Sequence, residues 1–498
     1  MLHEKLLSWN SSPSQLQALT HRFQSLQNSF SKYPELSQKI GTIFEELSQI
    51  ESELTAILTP TSALEEETYK ELLFLKPYTQ TFNFVPYFLP VWSIFRVYIL
   101  PGLSMLIPFF ALVLPYLIIR FVFKLPMNFE RYFGLLHSII SGKVPSLHPQ
   151  DSGTSSATPQ SRIKILSQSA WILATIVQSV LQPYWSYRHL KSVDTILKTK
   201  EQTLARFKEL YTRLQTTLAN HNIDFFRNPI PSTYTGREAV ANILLHAPLY
   251  KQALRYIGGF EALYRLTSKE SVLPVSWQFE ETLPPRLEVI DTYDYNVPKE
   301  RRVPFTVALH KKQHALLTGP NKGGKSTVLR SILMNVVLAH TYGCFIGREC
   351  HMTPFERIYV CLKPDDLPGT LSRFEREVEF TSKTLFGEKS GSGGNTLILI
   401  DELYHSTNPP DALTSCRSYC SQLWKRNNYM SIISTHLFEL VEEADSKRVE
   451  RLCCPATMTD AGDIIYSYSL QKGICRVSSV GELLKKYGMD ICARLTQA

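Results

Sequence analysis

At 498 residues the chain is longer than one ordinary domain and predicts two or three structural units. Its 44% hydrophobic and 20% charged residues exclude a disordered chain, and a formal charge of +8 permits nucleic acid or an anionic membrane surface as partner without demanding either. All nine cysteines lie at or beyond Cys344 and none forms a C-x-x-C pair, which excludes zinc-ribbon spacing and predicts reduced thiols in an intracellular compartment. The N-terminus, beginning Met1-Leu2-His3-Glu4-Lys5, carries no apolar signal sequence.

In chain order, residues 1–92 read as a long helical, coiled-coil-like segment. Leu16, Leu19, Phe23, Leu26, Phe30 and Tyr33 recur at helical spacing, and the stripe resumes as Leu36, Ile40, Ile43, Leu47, Ile50 and Leu54. Pro34 predicts a kink or a division between the halves. Residues 93–187 form a hydrophobic region. In it, Val97 to Ile119 holds no charged residue and is long enough to cross a bilayer, with Arg96 and Arg120 at its ends. Pro101, Pro108 and Pro115 also allow a buried core helix or apolar hairpin. A second uncharged run, Ile165 to Tyr187, is more polar, and residues 144–162, rich in Ser, Pro, Thr and Gly, predict a flexible loop.

Residues 188–274 read as a helical lever region. Its stripe of Leu190, Val193, Leu197, Leu204, Phe207, Leu210, Tyr211, Leu214 and Leu218 can pair with the first, pack on the last domain, or pack on another copy. After Pro274 short apolar runs set in, so residues 275–498 are assigned to an α/β domain.

The chemistry concentrates there. Gly319-Pro320-Asn321-Lys322-Gly323-Gly324-Lys325-Ser326-Thr327 fits G-x-x-x-x-G-K-[ST] between a strand-like run, Ala315 to Thr318, and a helical pattern from Val328. Glycines let backbone N–H groups wrap phosphates at a helix N-terminus. In such a loop Lys325 bridges phosphates and Ser326 ligates Mg²⁺. A second apolar run, Thr396 to Ile400, delivers Asp401 and Glu402. Asp401 is placed to hold Mg²⁺ and Glu402 to orient or deprotonate the attacking water. A third, Ile432-Ile433-Ser434-Thr435, ends in His436, positioned for the γ-phosphate or that water. ATP and Mg²⁺ are the cofactors this set implies.

These stretches together resemble the MutS family. Thr318 to Thr327 is similar to its T-G-P-N-x-G-G-K-S-T loop. Asp401-Glu402-Leu403 with Thr407 and Asp411 resembles its D-E-[IL]-x-x-x-T-x-x-x-D run, and Ser434 to Leu440 its A-T-H-x-x-E-L stretch. Asp365-Asp366-Leu367 with Ser372, Phe374 and Glu377 matches its D-D-L-x-x-x-x-S-x-F-x-x-E segment. The resemblance implies an α/β P-loop NTPase domain (ABC/MutS-like) at the C-terminus, preceded by a mostly α-helical region with long helices and a hydrophobic segment. It implies a homodimer through the ATPase domain, in which Ser372 reaches the partner's nucleotide in trans, and DNA as a partner.

The sequence departs from the family too. No mismatch-reading domain or Phe-x-Glu wedge is evident. Tyr404, His405, Ser406, Asn408, Pro409 and Pro410 replace small residues of the dimer-facing loop, and little chain follows for the family's C-terminal clasp. Two readings follow: a DNA-binding MutS-like ATPase of mismatch repair or recombination, whose nucleotide state moves the long helices, or a membrane-anchored MutS-like ATPase acting on a membrane partner.

Overall fold

A computed structural model describes residues 9–59, 69–128, 131–132, 159–223, 234–280, 284–362, 372–387, 394–459 and 463–486. Asp365-Asp366-Leu367 and most of the expected loop at 144–162 lie outside them. The last residues of that loop, from Pro159, begin a helix.

In chain order the main helices are α1 (Pro13–Lys32), α2 (Pro34–Leu58), α3 (Phe88–Ile94), α4 (Leu100–Leu117), α5 (Pro159–Ala219), α6 (Gly236–Leu245), α7 (Ala247–Thr267), α8 (Lys325–Tyr342), α9 (Arg373–Phe386), α10 (Pro409–Leu423), α11 (Phe438–Glu443) and α12 (Val480–Lys486). The strands are β1 (Val272–Pro274), β2 (Ser276–Trp277), β3 (Leu287–Thr292), β4 (Phe305–Leu309), β5 (His314–Thr318), β6 (Cys344–Ile346), β7 (Glu349–Met352), β8 (Arg357–Cys361), β9 (Thr396–Ile400), β10 (Tyr429–Ser434), β11 (Val449–Cys453), β12 (Ala456–Met458), β13 (Ile464–Tyr466) and β14 (Gln471–Lys472). Two compact units result: residues 1–38 with 257–498, and residues 39–256.

The helical unit answers the question of the stripes. Ile40, Ile43, Leu54 and Ile57 of α2 are buried, as are Leu197, Leu204, Leu210 and Leu214 of α5. The two helices run antiparallel: Thr203 Oγ1 donates to Glu53 Oε2 (2.5 Å), and Glu46, earlier in α2, pairs with Arg206 and Arg213, later in α5. With 61 residues, α5 is about 90 Å long at the α-helical rise.

From Phe88 to Val122 the chain is continuously helical, with π-helical turns at Phe95–Ile99 and Ile118–Val122. The first turn immediately precedes Pro101, whose ring displaces a carbonyl and supplies no N–H, and the wider turn absorbs that mismatch. Phe88–Ile107 is long and apolar enough to cross a membrane, and Val113–Val122 is a shorter apolar helix. The qualifying stretch therefore begins earlier than the uncharged run at Val97. The run from Ile165 to Tyr187 falls within α5, and most of its side chains lie outside the described residues.

In the other unit the principal sheet has the order β14-β11-β5-β10-β9-β8. It is parallel throughout except for β14, which joins β11 antiparallel. β5, β9 and β10 are buried along their whole lengths, as continuous Leu/Ile runs require when helices cover both faces. Alternation sorts the faces. Leu317, Leu399 and Ile432 pack with Val328, Ile332 and Val336 of α8. Leu316, Ile398 and Ile433 pack with Cys416, Cys420 and Leu423 of α10 and with Leu440 and Val441 of α11. A second sheet, β2-β7-β3-β4, carries a bulge between Val289 and Thr292.

The N-terminal helix α1 belongs to this unit. Leu16, Phe23, Leu26 and Phe30 are buried, and Gln27 Nε2 donates to Val272 O (2.9 Å). Ahead of it, Trp9 stacks on His340 with ring centroids 4.1 Å apart and donates its indole N–H to Phe355 O (2.9 Å). Pro34 divides the first stripe, α1 ending at Lys32 and α2 starting at Pro34.

Candidate functional site

Three loops leave the same edge of the parallel sheet. Register makes this inevitable: Ile400 lies beside Ile433 and Ser434 beside Leu317, so the residues following β5, β9 and β10 emerge together. Such a carboxyl edge is where open α/β sheets place their ligand sites.

After β5 the glycine-rich loop turns back into α8. Gly319 has φ +148°, and a Cβ there would lie 2.9 Å from Cys454 O, so no other residue fits. Gly324, at φ +102°, opens the helix. Lys322 adopts φ 67° between them, a left-handed conformation that costs a side-chain-bearing residue free energy. Lys325 Nζ donates to Gly319 O (2.9 Å) and Pro320 O (3.2 Å) and lies 3.2 Å from His436 Nε2. Burial lowers the lysine pKa, and the nearby Glu402 and Asp401 work against that shift.

Ser326 Oγ donates to Asp401 Oδ2 (2.5 Å), and Ser434 Oγ donates to Asp401 Oδ1 (2.5 Å) while accepting the Glu402 N–H (2.8 Å). Glu402 Oε1 lies 3.2 Å from His436 Nε2. That hydrogen bond is the main reason the Glu402 carboxyl is held below its ordinary pKa, ahead of the charge of Lys325. Glu402 and Tyr404 both adopt positive φ (56° and 55°), a second concentration of backbone strain at the same edge. The arrangement keeps a lysine, an ionised carboxylate and an imidazole in mutual reach, with a hydroxyl and a carboxylate poised to share a hard cation.

A cavity of about 740 Å³ opens beside the loop. Pro320, Asn321, Lys322, Gly324, Lys325, Ser326, Thr327 and Glu402 form one side, while Tyr293, Val297, Arg302, Phe305 and Tyr468 extend it. Arg302 is fixed by donating to Val297 O and Tyr295 O, and stacks over the Tyr293 ring. Gly323 lies within the same turn, its N–H donating to Pro320 O (3.0 Å). Ser372 stands apart as the exposed N-cap of α9. It accepts from Glu375 N–H while the Glu375 carboxylate accepts the Ser372 N–H, a reciprocal capping box.

Lys325, Ser326, Asp401, Glu402 and His436 thus come together, and Ser372 does not join them within the chain. Sequence reasoning passed over two contributors. Ser434 was legible only as the polar terminus of an apolar strand. The Tyr293, Arg302, Phe305 and Tyr468 wall comes from distant segments without a local motif.

A strand-ordered parallel sheet with a glycine-rich loop, an acidic pair and a histidine along one edge defines the class of this C-terminal region. Residues 315–491 match the family model MutS domain V. The match supports a MutS-family C-terminal ATPase region over that stretch.

Proposed function

We propose that this protein binds ATP with Mg²⁺ in the cavity beside Gly319–Thr327 and hydrolyses it, as an α/β P-loop NTPase of the MutS type. The convergence of Lys325, Ser326, Asp401, Glu402 and His436 on one sheet edge carries this reading. The residues fit the ligand. A Cβ-free cradle at Gly319 and Gly324 suits phosphates, and the cavity's aromatic end has the size and polarity for a nucleoside. Bound Mg²⁺ would neutralise charge developing between the phosphates, held through Ser326 and Asp401. Lys325 exchanges its bonds to Gly319 O and Pro320 O for phosphate oxygens. Glu402, kept ionised, accepts a proton from or orients the attacking water, with His436 fixing its carboxylate.

The exposed Ser372 at the N-terminus of α9 supports a homodimer in which this helix end addresses the partner's nucleotide. The MutS-type region points to DNA transactions such as mismatch repair, with the nucleotide state moving long helices. All eight described cysteines are free thiols, in keeping with a reducing intracellular compartment.

A second reading, a membrane-anchored MutS-like ATPase, draws on a separate observation. Phe88–Ile107 and the helix beyond it leave Val91, Leu103, Ile107, Phe110 and Leu114 more than 45% exposed. Three basic residues of α5 that could face DNA are meanwhile engaged within the helical unit: Lys198 pairs with Asp194, Arg206 with Glu46, and Lys200 lies over the Tyr69 ring. Fractionating the full-length protein and assaying ATP turnover with and without DNA decides between them. Soluble, DNA-stimulated turnover supports the repair reading; detergent-dependent recovery with DNA-indifferent turnover supports the membrane one. Absence of turnover in either fraction refutes the ATPase assignment.

A further inference from the structure

We propose that the helical unit binds a zwitterionic phospholipid headgroup, a phosphate joined to an ammonium, in the cavity at the foot of its apolar helix; this rests on the membrane-anchored reading. The cavity, about 640 Å³, lies between the start of that helix, the middle of α5 and the N-terminus of α6. Arg237 lines it. The guanidinium is gripped by two carboxylates, Nη2 by Asp194 Oδ1 and Nε by Glu201 Oε1 (3.1 Å), and its side chain is 9% exposed. Its third nitrogen, Nη1, is buried and finds no hydrogen-bond partner among the described residues. Ser93, 3% exposed, lines the same cavity, and its buried hydroxyl also finds no partner among the described residues. Buried donors are normally satisfied, so two orphans on one cavity point to a ligand oxygen between them.

The charge of the wall selects the rest of the ligand. Asp194, Glu201 and Glu238 face Lys198 and Arg237, leaving the lining one charge negative. A simple anion gains from Nη1 but meets excess carboxylate; a simple cation leaves Nη1 and Ser93 unsatisfied. A zwitterion satisfies both, its phosphate accepting from Arg237 Nη1 and Ser93 Oγ. Its ammonium then sits against Glu238 and the faces of Tyr87 and Tyr98.

Position argues for a lipid as the source. Tyr87, 81% exposed, lines the cavity, Tyr98 packs on Tyr187 of α5 (centroids 5.9 Å apart), and Tyr184 and Trp185 lie just before Tyr187 on α5. Tyrosine and tryptophan collect at the membrane–water boundary, and the cavity takes one wall from Pro86 to Tyr98, the start of the apolar helix Phe88–Ile107, whose exposed apolar side chains run from Val91 through Leu103 and onward. The cavity therefore lies at headgroup depth.

The test uses full-length protein reconstituted into vesicles of mixed phosphatidylethanolamine and phosphatidylglycerol, then extracted in mild detergent for native mass spectrometry. Wild type is expected to retain phosphatidylethanolamine over phosphatidylglycerol. Ser93→Ala and Arg237→Lys, which remove contacts to the phosphate, are expected to lower retention of phosphatidylethanolamine by about tenfold, the scale of one hydrogen bond, and Tyr98→Ala, which removes a face for the ammonium, to narrow its preference over phosphatidylglycerol, while all three float with vesicles and bind ATP as wild type does. Should Arg237→Lys fail to fold, Ser93→Ala and Tyr98→Ala carry the test. Equal retention of both lipids by wild type, unchanged retention in folded Ser93→Ala, or an unchanged preference in Tyr98→Ala overturns the proposal while leaving the membrane reading intact. Failure of wild type to float overturns both. Glycerophosphoethanolamine, which has no tails, binding as tightly as the lipid would reject a membrane source.

Discussion

Ser434 and Asp401 are joined by a 2.5 Å hydrogen bond from the serine hydroxyl to Oδ1, and the same hydroxyl accepts the backbone N–H of Glu402 at 2.8 Å. One side chain on β10 thereby fixes both acids at the end of β9. Removing it leaves a charged acceptor and a backbone donor to find new partners, a cost of about 1–3 kcal/mol. Ser434→Ala is expected to lower ATP turnover roughly tenfold or more while changing nucleotide affinity much less. Wild-type turnover in this variant would deny Ser434 a positioning role.

The two central residues should separate binding from chemistry. Lys325→Ala removes the side chain that bonds the loop carbonyls of Gly319 and Pro320, and is expected to weaken ATP binding and abolish turnover. Glu402→Gln keeps the shape and loses the carboxylate, so binding should persist while turnover falls by about 10²-fold or more, the range for an acid–base group. Equilibrium binding of a fluorescent ATP analogue beside steady-state phosphate release reads both. Parallel losses in both assays for Glu402→Gln would assign it to binding instead.

Gly343 ends α8 at φ +72°, and a Cβ there would lie 2.4 Å from the backbone nitrogen of Thr20 in α1. The far end of the helix that begins with Lys325 is therefore capped by the N-terminal helix at close backbone contact. Gly343→Ala incurs both left-handed strain and a backbone clash, and should destabilise the unit by about 2 kcal/mol or more. Urea denaturation followed by Trp9 and Trp277 fluorescence measures this, since both rings lie against His340. An unchanged midpoint would mean that α1 does not hold this end.

Two buried histidines make this unit acid-sensitive. Burial lowers the pKa of His340 from 6.5 to about 4, and that of His314 to about 3. The unfolded chain takes up these protons as pH falls below 6.5, whereas the folded chain resists until about 4. Stability is therefore complete above pH 6.5 and is lost as pH falls toward 4, by roughly 3 kcal/mol for His340 alone. Denaturation midpoints measured from pH 7.5 to 4.5 should fall steadily, and His340→Leu should flatten that slope whatever its effect at neutral pH. A slope identical to wild type would remove His340 as a cause.

Much of the candidate site was legible because its parts are local: a loop of fixed spacing, apolar runs of strand length, and the polar residues that end them. The first stripe was also legible as helical, yet its halves have different fates. Leu16, Phe23 and Phe30 are buried in the unit that holds the sheet, whereas Ile43 and Leu54 are buried in the helical one. An amphipathic period states which face of a helix is apolar and carries no address for its partner. The stacking of Trp9 on His340 was invisible for a related reason: nothing near Trp9 in sequence hints at a partner so far along the chain.

By itself, then, the sequence determined the long helices and the strand-length runs around the glycine-rich loop and the acidic pair, because spacing and polarity act within a few residues of chain. Only the tertiary structure decided that β5, β9 and β10 lie adjacent and parallel, which brings Lys325, Asp401, Glu402 and His436 to one edge. It also decided that Ser434 would bridge the two acids, and that Arg237 would be held by Asp194 and Glu201 with one nitrogen left over. Those relations depend on register and packing between distant segments, where burial of continuous surfaces, rather than local pattern, selects the neighbour.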